Sequence, residues 1–148
     1  LTAVVGAVLQ PPVASAQVAD DLALTDAPTG TEALAARLRA RHRRDLPAAE
    51  ELADAANGAR LRWLAEHHSL ALVRARALLL LAVHQDAATR ALVLRVLDSD
   101  APVIVRAAAL RATDGWRIDD GLARRMRRLA QHADPRLAQP AQKRLRQR

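Results

Sequence analysis

An all-α fold, an α-solenoid of antiparallel helix pairs, is predicted by two observations. The helical phrase Val73-Arg74-Ala75-Arg76-Ala77-Leu78 returns thirty-two positions later as Val105-Arg106-Ala107-Ala108-Ala109-Leu110. A fixed period of about twenty to fifty residues is the mark of stacked repeats. Each copy follows a cap-like residue, Ser69 or Asp100, and precedes a second apolar-periodic run, so the repeating unit is a helix pair. The second observation is composition: Phe and Tyr are absent, Trp63 and Trp116 are the only aromatics, and the apolar half of the chain is Ala, Leu and Val. Such residues favour packed helices over sheets.

Leu1 to Leu9 is apolar, Pro11-Pro12 breaks it, and Ala14-Ser15-Ala16 offers small residues before Gln17. That order resembles the second half of a secretory signal peptide, and the run is too short to span a bilayer. With no initiator Met and no basic n-region, the chain is expected to begin partway into the signal, with cleavage near Ala16 and an exported, periplasmic or extracellular, mature protein. No Cys follows the site, which excludes a lipoprotein anchor. Residues 1–16 therefore read as a signal remnant and 17–30, acidic and then Pro/Gly/Thr-rich, as a flexible linker.

Residues 31–57 read as N-terminal capping helices. Thr29-Gly30-Thr31-Glu32 matches a capping box, after which Leu34, Arg37, Leu38 and Arg41 outline a mostly polar helix to about Arg44. Pro47 starts another, which Asn57-Gly58 ends. Residues 58–148 read as the repeat region. Its first helix carries Leu61, Leu64, Ala65 and His68 on one face, with Trp63 beside them. From Leu70 to Val83 the chain is apolar nearly all round, and such a helix must be sandwiched at the centre of the core.

Asp86 caps the next helix, with Leu92, Val93, Val96 and Leu97 inward and Arg90 and Arg95 outward. Asp100-Ala101-Pro102 opens the second copy of the phrase, which Gly115 ends. After Asp119, the stripe Ile118, Leu122, Met126 and Leu129 is spaced by about four, four and three. Asp134-Pro135 starts a last helix with Leu137, Ala141 and Leu145 inward. Pro140 lies inside it and is expected to bend or break it. The terminal unit is thus the poorest copy, as end repeats are.

The phrase from Asp100 to Leu110 is similar to the bacterial HEAT repeat, in which an Asp-Pro cap, a Val-Arg pair and an Ala-rich face recur. Ser69 to Leu78 and Asp134 to Leu145 resemble weaker copies, and the short period resembles the HEAT-like repeats first described in phycobilin lyases. The resemblance covers about residues 58–148. It implies a solenoid that binds other macromolecules, commonly proteins, along one face, and it carries no catalytic residues.

Charge is distributed unevenly. From Leu1 to Trp116 thirteen Arg balance thirteen acids, so the whole formal excess of +7 lies between Arg117 and Arg148, with ten basic and three acidic residues. Arg124, Arg127 and Arg128, with Arg117 just before them, fall opposite the Ile118-Leu122-Met126-Leu129 stripe, and Arg125 flanks them. This cationic ridge is a candidate surface for an acidic protein, an anionic glycan or lipid headgroups; its rival explanation is a solvated helix face. Trp116, beside it in a loop, either anchors a partner or plugs a gap between repeats. A second cluster, Arg37, Arg39, Arg41, Arg43 and Arg44 around His42, faces Glu50, Glu51 and Asp54, so pairing across the hairpin competes with any binding role.

Chemistry is sparse. The absence of Cys removes disulfides, thiolate metal sites and cysteine nucleophiles. Glu66-His67-His68 with His84 has poor spacing for one metal ion, because adjacent helical residues point about 100° apart. Asp119-Asp120 stands where a helix start wants a cap and negative charge. Arg74 and Arg106, equivalent in the two copies, have the repetition of structural residues that reach helix-end carbonyls.

The sequence therefore predicts a non-enzymatic protein-interaction module or scaffold. No catalytic, metal or cofactor-binding residues are assigned and no cofactor is called for, and the partner-binding candidates are Arg117, Arg124, Arg127, Arg128 and Trp116. Two alternatives stand beside it. A nucleic-acid-binding HEAT-like protein is encouraged by the basic end and by DNA glycosylases built of such helix pairs, but opposed by the export signal and the lack of aromatics for base stacking. A lyase-like enzyme or enzyme subunit has no nucleophile elbow or phosphate loop to draw on. The sequence leaves open the partner's identity and the oligomeric state.

Overall fold

The computed structural model describes residues 26–147, so the signal-like stretch and most of the predicted linker lie outside the described residues, as does Arg148. Among the described residues there are seven α-helices and no strand. They are α1 (Thr31–Leu38), α2 (Ala55–His67), α3 (Ala71–Leu80), α4 (Ala87–Asp98), α5 (Val103–Ala112), α6 (Asp120–Ala130) and α7 (Pro135–Arg146). Three short 3-10 turns, Arg43–Asp45, Ala49–Leu52 and Leu81–Val83, complete the order. No described helix is long and apolar enough to cross a membrane.

Helix starts follow local chemistry where an Asp is available. Asp54, Asp86, Asp119 and Asp134 each accept the backbone N–H of a first-turn residue, namely Asn57, Thr89, Leu122 and Arg136. These bonds satisfy donors that a helix leaves orphaned at its N-terminus. α1 begins differently from the expected capping box. Its cap is Gly30 at φ 87°, with no side-chain bond, and the Thr31 hydroxyl turns back to donate to the Pro28 carbonyl at 2.5 Å. Only glycine adopts that backbone readily.

The three connections between paired helices are closed in one way. His68 Nδ1 accepts the N–H of Leu70 at 3.0 Å, Ser99 Oγ that of Ala101 at 3.2 Å, and His132 Nδ1 that of Asp134 at 2.9 Å. Ser69 and Asp100, expected as caps, do not serve: the cap residues of α3 and α5 are Leu70 and Pro102, and neither makes a side-chain cap bond. Pro102 has no N–H, so in the middle connection the bond moves back one residue, from the Pro102 position to Ala101.

Packing alternates along the chain. Sequence neighbours α2 and α3, α4 and α5, and α6 and α7 pack together; so do the next-nearest helices α1 and α3, α3 and α5, and α5 and α7. Residues one period apart share their burial across α3, α5 and α7: Val73, Val105 and Leu137 are fully buried, as are Ala77, Ala109 and Ala141. A small side chain at the same level of each helix lets neighbouring backbones approach. The third copy, poor in sequence, keeps both positions.

Several expectations are corrected. The helix predicted to reach Arg44 ends at Leu38 and is followed by a separate turn. Asn57-Gly58 does not end a helix but lies inside α2, where Gly58 is buried with its Cα against the His84 ring; an added Cβ would sit 2.8 Å from His84 Nδ1. The apolar segment from Leu70 to Val83 is not enclosed on every side. Val73, Ala77, Leu78 and Leu81 are buried, but Leu70, Leu72 and Val83 are 48%, 44% and 43% exposed. Trp63 packs on the core from its edge, half-buried and tilted against His67 at 5.1 Å. α7 continues through Pro140 to Arg146, with the ring at the exposed surface.

Arginines hold the helix ends. Arg76 donates to the carbonyls of Leu38 and Ala40, both at 2.7 Å, closing the C-terminus of α1 from α3. Arg144 on α7 donates to the carbonyls of Thr113 and Trp116, at 2.8 and 3.2 Å, and so holds the end of α5. Two periods after Arg76 stands Pro140; the arginine that does the equivalent work lies one helical turn further on. Arg74 Nε reaches the Ala65 carbonyl at 3.0 Å as expected, whereas the Nε of its counterpart Arg106 is buried without a partner.

Candidate partner-binding surface

The predicted ridge sits on α6, whose Leu122, Ala123, Met126 and Leu129 are buried and whose Arg124, Arg127 and Arg128 are exposed. The five cations on or just before this helix differ in their commitments. Arg128 Nη2 donates to Asp98 Oδ1 at 2.6 Å, and Arg125 grips the same carboxylate through Nε and Nη2 at 3.0–3.1 Å. Partial burial pushes the Asp98 carboxyl up, but the bonds and charges of Arg125 and Arg128 outweigh it and hold the group below its usual range. Asp98 ends α4, so this cluster ties two helices that are not paired. Arg117, Arg124 and Arg127 are exposed and make no ion pair among the described residues.

Trp116 is half-buried and packs against the core, with the guanidinium of Arg90 4.6 Å from its ring centroid. Arg90 also lies 3.7 Å from Asp119. The Trp116 face is thus already occupied by a cation of the same chain. Asp119 is the cap of α6, and the Leu122 N–H bond is the first cause of its carboxyl lying below the ordinary value.

The second arginine cluster is partly internal. Arg37 pairs with Glu51 at 3.1 Å across the connection, both side chains half exposed. Arg39 Nη2 stands 3.4 Å from His68 Nε2. Since Nδ1 of His68 accepts the Leu70 N–H, its neutral ring carries the proton on Nε2, and the Arg39 approach is donor against donor. Burial and then this charge lower the His68 pKa.

The remaining histidines do not converge. His84 Nε2 donates to the Leu52 carbonyl at 2.6 Å in the core, and His67 lies tilted against Trp63. Among the described residues no group of three or more His, Cys, Asp or Glu side chains is arranged to hold a metal ion.

One surface was not singled out from the sequence. Between α5 and α7 runs an open groove of about 1010 Å³, lined by Arg111, Arg136, Lys143, Arg144 and Arg146 with Asp114 as its lone acid. Arg136 is neutralised by Asp134 at 2.8 Å, whose carboxyl is lowered to about 2 chiefly by the Arg136 side-chain bond. Arg144 is spent on carbonyls. The side chains of Arg111, Lys143 and Arg146 have no hydrogen-bond or ion-pair partner among the described residues. The signal for it was the period itself, because Arg111 and Lys143 are thirty-two residues apart and so face each other on adjacent helices.

Comparison with family models, with curated proteins and with solved structures finds no match.

Proposed function

We propose that the chain is an exported, non-enzymatic, HEAT-like solenoid module that docks an acidic protein through the exposed face of α6. The observation that carries this reading is the trio Arg117, Arg124 and Arg127, exposed on or beside one helix and unpaired among the described residues, while neighbouring Arg125 and Arg128 are neutralised by Asp98. Unpaired like charges on one face repel one another and gain from an anionic partner. The next-nearest packing of α1, α3, α5 and α7 supports the solenoid part of the reading. Export rests on the order of apolar run, Pro-Pro break and Ala-Ser-Ala site.

The test is capture from an envelope extract by the immobilised chain, beside a folded Arg117→Glu/Arg124→Glu/Arg127→Glu variant. A defined protein held by the parent, lost with the variant and released by moderate salt is expected. Equal capture by both would make the ridge a solvated face. Stronger retention of duplex DNA than of any protein, with a steep salt slope, would replace the reading with nucleic-acid binding.

A further inference from the structure

The cations between α5 and α7 form a different surface from the α6 ridge, and we infer that the groove they line is a second docking site, one that takes an acidic peptide segment carrying apolar residues. The inference rests on the reading of the chain as a protein-binding module and adds a site and a ligand chemistry to it.

Five features of the groove point to that ligand. Its unpaired charges are Arg111, Lys143 and Arg146 against Asp114, a balance that favours an anion and disfavours a cation. Its lining is not purely polar: half-buried Ala107 and the exposed Pro140 ring give it apolar surface, which rewards a ligand that brings methyl or methylene groups. Gln139 and Gln147 contribute amides that both donate and accept, as a peptide backbone requires, whereas a phosphate ester can only accept. No aromatic side chain lines it, so there is no platform on which bases could stack. At about 1010 Å³ and open to solvent, it is at the upper end of small-molecule sites and suits a chain segment.

The arrangement follows from the repeat. Equivalent positions on α3, α5 and α7 are Leu79, Arg111 and Lys143, and likewise Leu72, Ile104 and Arg136. The same face therefore passes from apolar on α3 to basic on α7, with Leu72 and Ile104 both exposed. A peptide that carries both acidic and apolar residues matches that face.

The experiment uses the full chain and a fluorescein-labelled peptide of three Glu-Leu-Glu-Glu repeats, read by anisotropy at low salt. Arg111→Glu/Lys143→Glu/Arg146→Glu is compared with the ridge variant of equal charge change, both checked for folding by circular dichroism. The groove variant is expected to weaken binding by about tenfold or more and the ridge variant by less than about threefold. Replacing every Leu of the peptide by Ser is expected to weaken it by about fivefold. Should the glutamates unfold the groove variant, the matching Gln substitutions carry the same comparison.

No binding of the peptide by the parent, equal losses in both variants, indifference to the Leu-to-Ser change, or tighter binding of a thymidine oligonucleotide would each overturn the inference. Envelope capture through the ridge without peptide binding would remove the groove alone. Peptide binding without envelope capture would remove the ridge and leave the groove.

Discussion

Gly58→Ala should destabilise this protein, although the same change in a helix interior ordinarily stabilises by about 1 kcal/mol. The new Cβ would stand 2.8 Å from Nδ1 and 2.9 Å from Cε1 of His84. Ordinary contact is about 3.5 Å, so the ring must retreat by roughly 0.7 Å. It is buried and anchored by a 2.6 Å bond from Nε2 to the Leu52 carbonyl, which such a retreat would stretch to the edge of hydrogen-bond range. Overpacking of this kind costs about 1–3 kcal/mol, leaving a net loss near 1 kcal/mol, or about 4 °C in Tm. In a His84→Ala background the obstacle is gone and only the helical gain remains, so the sign should reverse. Urea unfolding followed at 222 nm across the four-member cycle measures both numbers. A stabilising Gly58→Ala in the parent, or the same effect in both backgrounds, would refute the close approach of α2 to His84.

The arginine ties predict unequal costs for two arginines of neighbouring repeats. Arg76→Met removes two charged hydrogen bonds to carbonyls and is expected to lose about 1.5–3 kcal/mol in urea unfolding. Arg106→Met, which removes a buried donor without a partner, should fall within about 0.5 kcal/mol of the parent, and a larger loss there would show that its guanidinium is bonded. Acid should weaken the fold in two stages. His68 has a lowered folded pKa, so its contribution is complete above about 6.5 and declines as pH falls below that value, because the protonated ring can no longer accept the Leu70 N–H. Asp54, Asp86, Asp98, Asp119 and Asp134 are also lowered, so stability present above the ordinary carboxylate value near 3.8 is lost as pH falls through their folded values. Thermal melts between pH 8 and pH 2 would show both stages, and a His68→Gln variant should lack the first; a melt independent of pH down to 4 in the parent would contradict the histidine part.

What the sequence made legible was what depends on neighbours within one helical turn. Asp86, Asp119 and Asp134 cap as their positions suggest, and Val73 with Val105 mark the buried faces of α3 and α5. What it hid depends on contacts from elsewhere in the chain. Asn57-Gly58 has the form of a helix stop, yet the glycine is there because the His84 ring, twenty-six residues on, leaves no space for a side chain. Periodicity placed Arg124, Arg127 and Arg128 on one face, but could not reveal that Asp98 on another helix claims Arg128 and Arg125 while leaving Arg124 and Arg127 free of ion pairs. For Trp116 the sequence left anchor and plug both open, because nothing local shows Arg90 lying over its ring. The groove was missed for a different reason: its cations are scattered through two helices and become a cluster only when the period is used to lay α5 beside α7.

The long-range arginine ties also impose an order on assembly as the chain is made. The end of α1 is closed by a guanidinium 36 to 38 residues downstream, and the end of α5 by one 28 to 31 residues downstream. During synthesis each of these helix ends must emerge and wait, carbonyls in water, until the helix two places later has followed it. A chain ending just before Arg144 would therefore keep α5 with an unfastened end, and protease should cut it near Trp116 where the longer chain resists.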